Sequence, residues 1–141
     1  MRVAGAHLTY CTNIHPGEDL ASLRHALREH VVKVKRALSP DAAFGVGLRV
    51  ANQASQELAQ GSALAQLRAW LDEQQLYVFT INGFPYGAFH ATRVKERVYE
   101  PDWRSEARVQ YTNRLADQLA ALLHADVAGS ISTVPGAWKA A

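Results

Sequence analysis

The sequence predicts an α/β domain assembled from consecutive parallel β/α units, and three observations predict it. Short runs rich in β-branched and aromatic residues alternate with longer segments in which leucine and valine recur every three or four positions. Each helical segment leads into another strand, the order expected of a parallel sheet with right-handed crossovers, on a barrel or an open sheet. The turn after the first strand, Asn13-Ile14-His15-Pro16-Gly17, lacks the glycine-rich fingerprint of an open dinucleotide-binding sheet. Gly45-Val46-Gly47 lies inside a strand, where small residues permit close packing.

The elements follow in order. His7 to Ile14 reads as the first strand and stops at His15-Pro16-Gly17. Leu20, Leu23, Leu27, Val31, Val34 and Leu38 then form one apolar helical stripe, with Arg24, Arg28, Lys33 and Lys35 on the outside. Ser39-Pro40-Asp41 ends that helix, and Phe44 to Val50 is the second strand. Ala51 to Gln60 is a short helix broken by Gly61. Ser62 caps the next helix, which carries Leu64, Leu67 and Leu71. Tyr77 to Asn82 is the third strand. A long loop from Gly83 to Pro101 precedes a helix capped by Asp102 and carrying Ala107, Tyr111, Leu115, Leu119 and Leu122. Gly129 to Val134 is a fourth strand, closed by Pro135-Gly136. No linker divides residues 1–141, so the chain reads as one domain or part of one.

Composition removes several classes. With 141 residues, 48% hydrophobic content and a net charge of +2, the chain is neither disordered nor basic enough to imply nucleic acid. No apolar run is long enough to cross a membrane, and the N-terminus has no signal-peptide core. The expectation is a soluble, cytoplasmic protein. One cysteine, Cys11, excludes an internal disulfide, and its mid-strand position reads as a small buried hydrophobe.

In a β/α barrel the working side chains sit at the C-terminal ends of the strands. Alternation puts Phe44, Val46, Leu48 and Val50 against the helices and Gly45, Gly47 and Arg49 on the barrel side. Thr80 and Asn82 fall on the less apolar face of their strand, Phe79 and Ile81 on the other. Asn13, Arg49 and Asn82 are thereby expected to converge at the mouth, where two amides and a guanidinium suit a polyol, carboxylate or phosphate. The alternative is local: Arg49 pairs with an acid, and each Asn satisfies a turn. His15 lies at the mouth and His7 at the base, too far apart to share a metal. His25, His30 and His124 read as surface or helix-end residues. Gly129-Ser130-Ile131-Ser132-Thr133 lacks a nucleophile elbow, so a serine hydrolase is not expected.

The densest signal is Asn82-Gly83-Phe84-Pro85-Tyr86-Gly87-Ala88-Phe89-His90, continued by Val94-Lys95-Glu96-Arg97-Val98-Tyr99-Glu100-Pro101-Asp102-Trp103. A loop this long after a strand is commonly functional. Phe84 and Tyr86 are candidate walls for a substrate, while Phe89 and Trp103 read as ties that hold the loop down. His90 is a candidate for proton transfer near neutral pH, with His15 as its counterpart. Lys95 and Glu96 read as a solvated charge run.

Together, HLTYCTNIHPGE, INGFPYGAFH, VKERVYEPDW and GSISTVPG resemble the metabolite-traffic protein EboE family, among the xylose-isomerase-like, sugar-phosphate-isomerase-like TIM barrels. The resemblance runs across essentially the whole chain. It implies a β/α barrel and a part in moving a secondary-metabolite precursor from cytoplasm to periplasm, alongside other proteins of the same operon. It also implies isomerase or epimerase ancestry with a divalent metal held by Glu, Asp and His of later strands. A TIM barrel has eight strands and this sequence shows four, so the expectation is an N-terminal half. No metal site is therefore assigned here, and a divalent metal belongs only to a full-length barrel. The half is expected to be inactive alone, the alternative being a non-catalytic module that binds a small metabolite. Two open sheet edges predict dimerisation into a closed pseudo-barrel, or poor solubility.

Overall fold

The computed structural model describes residues 2–90 and 95–139. Four parallel strands form the central sheet, in the spatial order β3 (Thr9–Cys11), β4 (Phe44–Arg49), β5 (Leu76–Asn82) and β6 (Ser130–Ser132). Before them, β1 (Arg2–Val3) and β2 (Ala6–His7) make a separate antiparallel hairpin. The first predicted strand is therefore divided. Residues 6–7 turn back on the N-terminus, only Thr9–Cys11 joins the sheet, and Thr12–Ile14 coils into a 3-10 turn.

Helices α1 (Leu20–Ala26) and α2 (Val32–Leu38) connect β3 to β4. Helices α3 (Asn52–Leu58) and α4 (Ala63–Glu73) connect β4 to β5, and α5 (Glu106–Leu122) leads to β6. Phe44, Val46 and Leu48 face these helices and meet Leu27, Leu58, Leu67, Leu71, Leu115 and Leu122 in the core. Each fully buried leucine contributes roughly 1.5–3 kcal/mol by leaving water. The opposite face carries Thr9, Cys11, Ser130 and Ser132, all exposed. Cys11 is thus not a buried hydrophobe: it lies on the sheet face that the helices do not cover.

Gly45 is required by a close approach, because a Cβ there would lie 2.6 Å from the Leu8 carbonyl oxygen. On β5 a bulge changes the alternation: Val46 pairs with Val78 and Gly47 with Thr80, leaving Phe79 as the extra residue. Phe79 therefore joins Tyr77 against Gly45 on the open face, rather than joining Ile81 in the core. Ile81 is buried as expected.

A π-turn over Leu27–Val31 links α1 to α2. One extra residue rotates everything after it by about 100°. The stripe holds through Leu23, Leu27 and Val31, and then Val32 and Lys35 are buried while Leu38 is 64% exposed. Lys35 is therefore not a surface residue. Its ammonium donates to the Pro40 carbonyl at 2.7 Å and to Gln75 Oε1 at 2.9 Å.

The long loop is held from below by Arg108, which is fully buried on α5. Its guanidinium donates to the carbonyls of Gly83 and Pro101, the two ends of the loop, and lies 5.5 Å and 5.4 Å from the Tyr86 and Tyr111 rings. The cap of α5 is Ser105; Asp102 instead binds the Arg104 backbone and guanidinium. Ser62 does precede α4, and its hydroxyl accepts from Gln66. No helix among the described residues is long and apolar enough to cross a membrane.

Candidate functional site

The loops after β3 and β5 meet at the C-terminal ends of the strands. Arg49, the last residue of β4, joins them. Its Nη1 donates to the Gly17 carbonyl at 2.7 Å, and Nη2 to the Gly87 carbonyl at 2.9 Å and the Glu18 carboxylate at 3.0 Å. The Phe89 ring lies 4.8 Å from the guanidinium. The side chain is 4% exposed, so Arg49 serves first as an internal clamp, the local alternative in the sequence. Its Nε has no hydrogen-bond partner. Glu18 was the acid to look for, and the charged string Gly17-Glu18-Asp19 was its only signal.

His15 follows the 3-10 turn. Its Nε2 lies 2.7 Å from the Tyr10 hydroxyl, so when the tyrosine donates, the imidazole hydrogen sits on Nδ1. The His30 ring stacks on His15 at 3.9 Å with 9° between planes, and His25 meets His30 edge-on. Burial, then the fields of His30 and His90, hold the His15 pKa below its usual value. The two histidines expected to act together, His15 and His90, are thus within electrostatic reach. His90 also packs on Phe89, with ring centroids 3.9 Å apart. Tyr10 and His30 escaped sequence reasoning. Tyr10 sits on the helix-facing side of its strand, and His30 lies within the π-turn, off the apolar stripe.

The remaining candidates are engaged separately. Asn13 lies half-buried on the 3-10 turn. Asn82 is the register partner of Arg49, but its Oδ1 accepts from Ser132 at 2.6 Å and from the Phe84 amide. Among the described residues the Arg49 guanidinium and the Asn82 Oδ1 are thus each engaged with protein groups. Phe84 packs 5.7 Å from Tyr99, which packs on Trp138. Tyr86 meets Tyr111 edge-on at 4.9 Å, and its carbonyl accepts from the Asn52 amide. Both rings face the protein and anchor the loop. Trp103 ties down as expected, its indole donating to the Val134 carbonyl. Glu96 is exposed. Residues 91–94 and the Lys95 side chain lie outside the described residues.

No family model, curated protein or solved structure matches this chain. The site is therefore read from its own geometry.

A groove of about 620 Å³ runs along α1 and is lined by His15, Pro16, Gly17, Ser22, His25 and His30. Adjoining it is a cavity of about 20 Å³, room for one water, lined in part by Thr12, His15, Asp19 and Arg49. At the opposite end of the sheet a cavity of about 750 Å³ contains His7, whose Nδ1 lies 2.9 Å from the Tyr77 hydroxyl, and His124, 3.6 Å from Asp72. This agrees with His7 at the base. The resemblance assigns its metal to later strands; among the described residues no three His, Cys, Asp or Glu side chains group around one point, and His15 and His30 stack face to face.

Proposed function

We propose that this chain forms the N-terminal β/α units of an EboE-like, xylose-isomerase-like barrel that binds a small polar metabolite at its mouth. In this reading it handles a sugar-like or polyol precursor in the cytoplasm on the way to export. The observation that carries the proposal is the placement of His15 by Tyr10 at the C-terminal end of a parallel sheet, within the field of His90. Ligands of β/α sheets bind at that end. His15, with its hydrogen on Nδ1, can donate to a ligand oxygen, and His90 can take up or return a proton.

The test is a titration of the purified protein with aldoses, polyols and their phosphates, followed through the imidazole ring signals. The expected result is perturbation of the His15 and His90 signals, with affinity reduced about tenfold or more in His15→Gln, as when a hydrogen bond to a charged group is lost. Binding unchanged in both His15→Gln and His90→Gln would sink the proposal. The same reading gives the free edges of β3 and β6 a partner, a second copy of the chain that completes the eight strands.

A further inference from the structure

The groove along α1 has an unusual set of ionisable groups. Three imidazoles line it, and among the described residues no carboxylate does. The acids around it are already committed. Glu18 is bonded to Arg49, and Asp19 accepts from the Ser22 amide at 2.7 Å. Glu57 on α3 accepts from the Leu20 amide at 2.6 Å and from Gln53. Glu29, whose field reaches His25 and His30, is bonded to Lys33 at 3.0 Å. The other groups facing the cluster are the Tyr10 hydroxyl on β3 and His90 from the loop after β5. Arg49 lines the adjoining water-sized cavity together with Asp19, and its buried Nε has no hydrogen-bond partner. His30 lies within the π-turn, a helix irregularity often associated with functional positions.

We propose that the groove is an anion site. A carboxylate or phosphate group of the ligand seats on His15 and His30 and, through one water in the small cavity, on Arg49, and its binding draws protons into the imidazole cluster. The inference rests on the metabolite-binding reading above and names the chemical class of its ligand. The physical reason is linkage. Two imidazoles stacked at 3.9 Å resist being charged together, and an anion in the groove adds counter-charge to the field of Glu29. Binding and protonation then favour each other.

Inorganic phosphate and acetate are the probes, with glycerol as the neutral control. Calorimetry at pH 7 in two buffers of different ionisation enthalpy should give a buffer-dependent heat, reporting proton uptake. Between pH 8 and pH 6 affinity should rise, by up to about tenfold per pH unit for each proton taken up. The Arg49 Nε–Hε resonance and the His15 and His30 ring signals should move with phosphate and not with glycerol. His30→Phe keeps a stacked ring but cannot titrate, and should reduce the proton uptake and the pH dependence. Should that variant fail to fold, the two-buffer experiment on the native protein decides alone. No binding of either anion, a buffer-independent heat, or equal shifts with glycerol would overturn the anion site. Phosphate binding with proton uptake, but no effect of His15→Gln or His90→Gln on metabolite binding, would overturn only the mouth reading; binding of neutral polyols without any anion response would overturn only this one.

Discussion

The pKa of His15 is held below its ordinary value by its surroundings: partial burial first, then the neighbouring imidazoles of His30 and His90. Its folded pKa lies below the unfolded value of about 6.5, so the unfolded chain binds more protons as the pH falls through that value. Stability supported by this residue is therefore present above about pH 6.5 and declines on acidification toward the lowered folded pKa. A ring-proton titration of His15 should show a midpoint below the free value, moving up in His30→Phe. A midpoint at the free value in the native protein would contradict the stacked arrangement. Gly45 gives a second residue-level expectation. Gly45→Ala places a methyl against the backbone of Leu8 and should lower stability by about 1–3 kcal/mol in denaturant unfolding, as overpacking does. At this scale the sequence told part of the story. The turn that carries His15 and the loop that carries His90 were legible, because each follows a strand. The clamp role of Arg49 was one of two readings and needed Gly17, Glu18 and Gly87 brought into contact to decide it.

Among the elements, the helix after β3 shows why a pattern can be right and then fail. Its stripe is correct up to Val31, where the π-turn shifts the phase and buries Lys35 in place of Leu38. Side-chain chemistry does not reveal a one-residue insertion in a helical repeat, so nothing in the sequence warned of it. The bulge at Phe79 is the strand counterpart, shifting alternation midway along β5. The start of α1, by contrast, is explicit: Asp19 accepts from the Ser22 amide, and Asp19→Ala should cost about 1 kcal/mol. The loop from Gly83 to Pro101 is governed from α5. Arg108 donates to both its ends, and Arg108→Ala leaves two buried carbonyls without their charged donor. A loss of about 2–4 kcal/mol follows from hydrogen bonds to charged groups. The variant should show faster hydrogen exchange through the loop while β4 keeps its protection; unchanged exchange in the loop would remove Arg108 from this role.

For the whole molecule, the alternation of strands and helices was enough to foresee a parallel sheet with its order following the chain, because each helix brings the next strand back beside the last. The helix-facing side of β4 was equally legible from alternation. What covers the other side was not, since a face carrying Thr9, Cys11, Ser130 and Ser132 gives no apolar pattern to read. Its edges carry the last expectation. β3 and β6 each have one side unpaired among the described residues, and some of the exposed apolar residues lie close to them along the chain. Val3, Leu8 and Ile14 flank β3, with Ile14 64% exposed, and Trp103 lies beside the chain leaving β6. In the half-barrel reading proposed above, a second copy would set its β3 alongside β6 of the first in the same direction, the parallel pairing that eight-stranded closure requires. Unpaired parallel edges of this kind favour association. Light scattering should therefore give twice the 15.5 kDa chain mass, shifting toward the single mass in Ile14→Lys, where a charge is set beside the pairing edge. A native chain that runs as a monodisperse monomer at every concentration would rule out closure by a second copy.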